Sequence, residues 1–188
     1  MEAVRERDVR KQAVSMKDAI LESCSCPAVA VETGTSYGDT AAGLGLTFRK
    51  VYTIEMLEHV HNAAKERIPY DNVECVLGDS AVELPRLCKE ISEPVFFYLD
   101  AHVCCADWGE SAKENPMPLW DELKAIAARG IIGDVVAVDD AHTWGARRDD
   151  LGDAANIWVD VSPGTILEAL GEGWNCKPRN DEWLFWNE

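Results

Sequence analysis

The stretch Val31-Glu-Thr-Gly-Thr-Ser-Tyr-Gly-Asp-Thr40, entered through Ala28-Val-Ala-Val31, decides the fold. Ala28 to Val31 is a short apolar run suited to a buried strand. Gly34 and Gly38 then turn the chain, and a short helix is expected to follow through Ala42. Strand, glycine turn and helix in that order make the opening of a βα unit.

Working outward, the same alternation recurs. Val51-Tyr-Thr-Ile54 reads as a second strand, and Leu57, Val60, Ala64 and Ile68 mark the helix after it. Val73 to Leu77 is a third strand, and Ser80-Ala-Val-Glu83 has the form of a capping box for a helix burying Leu84, Leu87, Cys88 and Ile91. Val95-Phe-Phe-Tyr-Leu99 is apolar throughout, as expected of a central strand covered on both faces. Leu119, Leu123, Ile126 and Ala127 form the next helical stripe, and Val135-Val-Ala-Val138 the fifth strand. Ser162 and Pro163 look like the cap and first turn of a helix ending near Gly171. Gly173 to Lys177 and Glu182 to Trp186 flank Arg179-Asn-Asp181 as a closing hairpin. Upstream, Val9, Ala13, Met16, Ile20 and Cys24 fall at helical spacing, so residues 1–25 are expected to form an amphipathic helix ahead of a core at 28–187. The fold class expected is α/β, an open Rossmann-like sheet with helices on both faces, in one domain spanning 1–188.

Composition narrows the function. The 188 residues carry 18 Lys plus Arg against 34 Asp plus Glu, a formal net charge of −16 that repels phosphate backbones and anionic membrane surfaces. Nucleic acid and membrane are therefore not expected as partners. Seven cysteines without a C-x-x-C pair point to reduced thiols. A charged first ten residues and the lack of a long apolar run point to a cytoplasmic location.

Open sheets of this kind bind ligands beyond the carboxyl ends of their strands. The residues there are Glu32 to Thr40, Glu55-Met56, Gly78-Asp79-Ser80, Asp100-Ala-His102 and Asp139-Asp-Ala-His142. Acids recur at every one. A dinucleotide fingerprint begun at Gly34 would require glycine where Ser36 and Asp39 stand, and a phosphate-binding P-loop would require a lysine near Asp39. A helix N-terminus flanked by Glu32 and Asp39 repels a pyrophosphate. It suits an adenosyl ligand that carries positive charge and no phosphate, which describes S-adenosylmethionine. Glu55 is placed for the ribose hydroxyls and Asp79 with Ser80 for the adenine edge.

The ordered motifs Val31-Glu-Thr-Gly-Thr-Ser-Tyr-Gly-Asp-Thr40, Val51-Tyr-Thr-Ile-Glu55, Val76-Leu-Gly-Asp-Ser80, Phe97-Tyr-Leu-Asp-Ala-His102 and Val136-Ala-Val-Asp-Asp140 resemble those of class I S-adenosylmethionine-dependent methyltransferases. The likeness spans about residues 28–187, with Ser36 where many members carry a glycine. It implies a seven-stranded, mostly parallel sheet whose last strand runs antiparallel. It also implies a cofactor site built from Glu32, Thr33, Gly34, Thr35, Ser36, Tyr37, Gly38, Asp39, Thr40, Glu55, Met56, Asp79, Ser80 and Asp100. Asp100 followed by the pair Asp139-Asp140 is similar to the metal-dependent sugar O-methyltransferases of the macrocin type, in which acids at these places hold magnesium.

Carboxylates gathered at adjacent strand ends repel unless a cation or proton sits among them, and oxygen ligands favour Mg²⁺ or another hard divalent ion. Asp100, Asp139 and Asp140 are the metal candidates. Asp100, His102 and His142 are the catalytic candidates, either histidine serving as base or extra ligand. The alternative is that one acid binds the cofactor's amino group, another caps a helix, and both histidines are ordinary loop residues. Residues 103–118 and 143–161 lack periodicity and are expected to carry the acceptor site. Trp108, Trp120, Trp144 and Trp158 are candidates for its walls, Cys104-Cys105 for incidental thiols, and Arg147-Arg148 for an acidic substrate group or for Asp149-Asp150. The activity expected is O-methylation of a small polar molecule, by a chain that can also pair with a second copy. A metal-dependent hydrolase using the same acids, or an inactive cofactor-binding module, are the competing classes.

Overall fold

The computed structural model describes residues 27–102, 115–149, 151 and 155–188. The expected N-terminal helix, Trp108 and Cys104-Cys105 lie outside the described residues. In chain order the elements are β1 (Val29–Thr33), α1 (Asp39–Gly45), β2 (Lys50–Glu55), α2 (Glu58–Arg67), β3 (Val73–Leu77), α3 (Ser80–Glu90), β4 (Val95–Leu99), α4 (Leu119–Ala127), β5 (Val135–Val138), α5 (Pro163–Leu170), β6 (Trp174–Arg179) and β7 (Glu182–Asn187). The seven strands form one sheet in the order β3-β2-β1-β4-β5-β7-β6. The pairs β1–β2, β1–β4, β2–β3 and β4–β5 are parallel, whereas β7 runs antiparallel to both β5 and β6. The strand order reverses once between the parallel neighbours β1 and β4, which opens a crevice at their carboxyl ends, so the topology fixes where a ligand sits.

Strict alternation along the strands builds two apolar layers. Val31, Phe97, Leu99, Val136 and Phe185 meet Leu84 and Leu87 of α3, Leu123 and Ile126 of α4, and Ile166 of α5 on one face. Ala30, Val51, Phe96, Ala137 and Leu184 share the other face with Leu44 of α1 and Phe48. All five residues of β4 are buried, which is why that strand reads as an unbroken apolar run. At the amino-terminal rim a buried ion pair joins α4's end to the sheet. Arg129 Nε donates to Asp134 at 2.9 Å, its remaining N–H groups reach the carbonyls of Cys88, Ile91 and Glu93, and Asp134 accepts from the Val95 N–H.

Three local expectations change. Strand β1 runs on to Thr33, so Glu32 and Thr33 are ladder residues rather than loop residues, paired with Thr53 and Ile54 on one side and with Tyr98 and Leu99 on the other. Ser80 is not the cap of α3. Asp79 is, its carboxylate accepting from the Ala81 N–H at 2.9 Å, while Glu83 turns to Arg86 at 2.9 Å. An ionised carboxylate is the stronger acceptor at a helix N-terminus, so it displaces the adjacent hydroxyl. Ser162 does cap α5, in a reciprocal box with Thr165. The hairpin turn tightens to Asn180-Asp181, with Asn180 in the left-handed region at φ 52°. No helix among the described residues is long and apolar enough to cross a membrane.

Candidate cofactor and acceptor site

A cavity of about 300 Å³ opens at the carboxyl ends of β1, β2, β3, β4 and β5. Its walls are Gly34, Ser36, Ile54, Glu55, Met56, Gly78, Asp79, Ser80, Asp100, Ala101, His102, Asn115, Pro116, Pro118, Asp139 and Asp140. Five carboxylates border it, and no lysine or arginine does among the described residues.

The first loop is held close to the sheet. Gly34 and Thr35 N–H groups both donate to the Ile54 carbonyl, at 3.0 and 3.2 Å. A Cβ on Gly34 would lie 2.4 Å from the Asp100 carbonyl oxygen, and its φ of +82° suits glycine alone. Ser36 takes up the left-handed conformation at φ 48° that a glycine would adopt there. Its N–H donates to Glu55 Oε2 at 3.0 Å, and the Leu57 N–H donates to Glu55 Oε1 at 3.0 Å. Two backbone donors thus fix the Glu55 carboxylate at the end of β2, with acceptor capacity left toward the cavity.

Of the residues expected to hold the cofactor, Gly34, Ser36, Glu55, Met56, Asp79, Ser80 and Asp100 come together on the cavity wall. The others stand apart from it. Glu32 is 1% exposed, and Thr53 donates to it. With that proton committed, Thr35 is the donor to Thr53 at 2.6 Å. Burial pushes the Glu32 carboxyl up to about 8, against the lowering effect of Thr53, and nearby Glu55 raises it further. Thr33 and Thr35 are buried, and the Thr33 hydroxyl accepts from the Asp100 N–H at 3.3 Å. Tyr37 is 70% exposed with the Arg67 guanidinium 5.5 Å from its ring centre, and Asp39 pairs with Arg67 at 3.4 Å. Gly38 precedes α1 at φ 82°, and Thr40 lies in its first turn. Glu32 and Asp39 therefore support the loop and do not border the cavity.

At the far end of the cavity, the donor atoms that approach one another are not those of Asp100, Asp139 and Asp140. The close set is Asp100, His102 and Asp140, with donor atoms all within 4.8 Å of one another. His102 Nε2 lies 2.8 Å from Asp140 Oδ2, and its Nδ1 lies 3.5 Å from Asp100 Oδ1. Trp158 packs edge-on against the His102 ring at 4.8 Å. Asp139 is turned away, Oδ2 accepting from the Tyr98 hydroxyl at 2.6 Å and Oδ1 from the Asp140 N–H at 2.8 Å. Burial, then Asp139 and Asp140, drives the Asp100 carboxyl well above the usual range. The hydrogen bond from His102 lowers Asp140.

His142 leaves the cavity. It is exposed, its Nδ1 lies 2.7 Å from Asp181 Oδ2, and its N–H donates to Asp181 Oδ1 at 2.9 Å. Asp181 also accepts from the Ala141 N–H through its carbonyl at 2.8 Å, so the β6–β7 turn clamps the loop after β5. That loop begins at Asp140 in the left-handed region, φ 56°. Trp144 packs on Trp183 in this region, and Arg147 pairs with Asp149 at 2.5 Å. Sequence reading missed Asp181, Tyr98 and Glu122, the last buried in α4 beneath Thr33 and Ser80. An acid standing between apolar helix positions was the available signal for Glu122.

No protein-family model matches the sequence, and no curated protein does. Solved structures do. An O-methyltransferase from Bacillus cereus in complex with SAH superposes with a TM-score of 0.61 at 14% identity, over 97% of this chain and 80% of that one. Cofactor-bound Rv0187 from MTB gives a TM-score of 0.57 at 18% identity over 97% and 80%. An rRNA methylase from Streptococcus thermophilus gives 0.50 at 17% identity over 92% and 93%. Sheet order, the antiparallel β7 and these superpositions together show that the chain has the fold of the class I S-adenosylmethionine-dependent methyltransferases.

Proposed function

We propose that the chain transfers a methyl group from S-adenosylmethionine to an oxygen of a small polar molecule, with a divalent cation at the acceptor end of the cavity. The observation that carries this is the Glu55 carboxylate, fixed by the Ser36 and Leu57 N–H groups at the wall of a cavity bordered by acids. A carboxylate so held accepts from two vicinal hydroxyls without rearranging, as a ribose requires. Met56 offers an apolar surface to the base, and Asp79 and Ser80 offer acceptors to its edge. The acidic lining favours a sulfonium and an ammonium and disfavours diphosphates.

S-adenosylmethionine would be held by Glu55, Met56, Asp79 and Ser80 and would supply an activated methyl group on its sulfonium, becoming a neutral thioether as the methyl passes to oxygen. The chain's own residues supply alignment and proton removal. His102, oriented by Asp140 and braced by Trp158, serves either as the acceptor of the attacking hydroxyl's proton or as a ligand of the ion, since the one lone pair left by its bond with Asp140 cannot do both. Asp100, His102 and Asp140 would hold a cation as a mixed oxygen and nitrogen donor set, and its charge would relieve the repulsion that raises Asp100. Such an ion supplies Lewis acidity that lowers the acceptor hydroxyl's pKa.

Calorimetry with S-adenosylhomocysteine, NADH and ATP tests the reading. Saturable binding of the sulfur nucleoside alone is expected, weakened at least about tenfold by Glu55→Ala through loss of charge-assisted hydrogen bonds. Retention of NADH or ATP with no uptake of S-adenosylhomocysteine overturns it.

A further inference from the structure

We propose that Asp181 is a positioning residue for the acceptor end of the cavity: it caps the turn that follows β5 in place of Asp140, and thereby frees the Asp140 carboxylate to face His102. What Asp140 then does for an acceptor rests on the methyl-transfer reading above, whereas its placement does not.

Asp140 stands at the N-cap of a single 3₁₀ turn, Ala141–Thr143. An aspartate in that place ordinarily has extended backbone and turns its carboxylate onto the N–H of the second or third residue of the turn, here His142 or Thr143. Asp140 does neither. Its backbone is left-handed at φ 56°, ψ 36°, and its side chain makes no capping bond. Other acceptors take the donors of the turn. The Thr143 N–H donates to the Asp140 carbonyl at 2.9 Å and the Ala141 N–H to the Asp181 carbonyl at 2.8 Å. The His142 N–H, which an aspartate cap would claim, donates to Asp181 Oδ1 at 2.9 Å. Asp181 Oδ2 lies 2.7 Å from His142 Nδ1, which holds the carboxylate by its second oxygen. The Asp140 carboxylate is left to project toward the cavity, where its Oδ2 lies 2.8 Å from His102 Nε2.

The sheet delivers Asp181 to this spot. Strand β7 runs antiparallel to β5 with Val138 opposite Trp183, so the hairpin turn ahead of β7 lies beside the loop after β5. Arg179 pairs with Glu182 at the end of the hairpin, which leaves Asn180-Asp181 as its two-residue tip. A left-handed aspartate costs conformational energy and persists only where its surroundings hold it. The bonds from Asp181 to the two residues directly after Asp140 are such a hold. Without the side-chain acceptor the ordinary cap becomes available: Asp140 relaxes to extended backbone, takes the His142 N–H and withdraws from His102.

The experiment reads the His102 ring by NMR in protein labelled with ¹⁵N-histidine, without cofactor or metal, the signal being assigned by its loss in His102→Gln. Asp140→Ala marks the position of a His102 ring that has lost its carboxylate. Asp181→Ala is expected to move the signal most of the way there. Asp181→Asn, whose amide oxygen still accepts from the His142 N–H, is expected to leave it near wild type, as is His142→Ala, which keeps that N–H on Asp181. In calorimetry with S-adenosylhomocysteine bound, Asp181→Ala should also weaken Mn²⁺ uptake about tenfold or more, and Asp181→Asn should hold it within about threefold of wild type. A wild-type His102 signal in Asp181→Ala overturns the proposal. So does a displacement in Asp181→Asn equal to that in Asp181→Ala, because the charge of Asp181 and not its capping bond would then be what matters. If Asp181→Ala does not fold, Asp181→Gly, which lacks the same acceptor, decides by the same criterion. Failure of the wild type to bind S-adenosylhomocysteine or Mn²⁺ removes the methyl-transfer or the metal reading, and the NMR signal still decides the role of Asp181.

Discussion

Glu32→Gln should make the protein more stable in mild alkali. The wild-type carboxyl is buried on the sheet with Thr53 as its donor, and burial raises its pKa from 4.5 to about 8. Between those values the folded chain holds a proton that the unfolded chain has released. Stability is then fully present below about pH 4.5 and falls as pH rises toward 8, at about 1.4 kcal/mol per pH unit for one group. From about pH 5 to about pH 8 the loss reaches an upper value of about 4 kcal/mol. The amide has no proton to lose, and its oxygen still accepts from Thr53, so the Thr35–Thr53 bond at 2.6 Å survives the change. Urea midpoints of both proteins across this range supply the assay. Other acids titrate in both chains and cancel in the difference. The wild-type curve should fall away from that of the variant by several kcal/mol on the alkaline side. Parallel curves, within about 0.5 kcal/mol, would refute the reasoning by showing that Glu32 is ionised throughout.

Gly34→Ala should cost about 3 kcal/mol or more, through its positive φ and its collision with the Asp100 carbonyl, and abolish S-adenosylhomocysteine binding; melting temperature and calorimetry check both. Arg129→Met leaves Asp134 buried without its partner and should destabilise by about 3 to 5 kcal/mol in urea, with part recovered by adding Asp134→Asn. In the presence of S-adenosylhomocysteine, Mn²⁺ or Mg²⁺ should bind saturably, and Asp100→Asn or Asp140→Asn should remove that uptake. Asp139→Asn should retain most of it, because its carboxylate faces Tyr98 and not the donor set; equal loss in all three variants would contradict the geometry.

Much of the scaffold is legible in the chain because its central strands β4 and β5 are apolar on both faces and the other strands carry short apolar runs bounded by polar breakers. Val73 to Leu77, Val95 to Leu99 and Val135 to Val138 appear with the limits that the hydrophobic runs mark. Glu32 was harder, since an acid after an apolar run reads as the first residue of a loop, and only its bond with Thr53 of the next strand explains why it stays in the ladder. The same limit applies to the site. Residues that follow strands in sequence do gather at the cavity, as with Glu55, Asp79 and Asp100. What a side chain does there depends on partners far along the chain. Tyr98 draws Asp139 away from its neighbours, and Asp181, read only as a turn residue, draws His142 out across 39 positions. Periodicity marks apolar stripes and passes over a carboxylate such as Glu122 that a helix carries inward.

The reversed direction of β7 has a practical bearing on how the protein can be handled. Val138 pairs with Trp183 near the cavity rim, and Val135 pairs with Trp186 at the other rim. Residue 188 therefore emerges on the side of the sheet remote from the cavity mouth. A fluorescent fusion or an immobilising tether joined there projects away from the cavity and leaves its entrance clear.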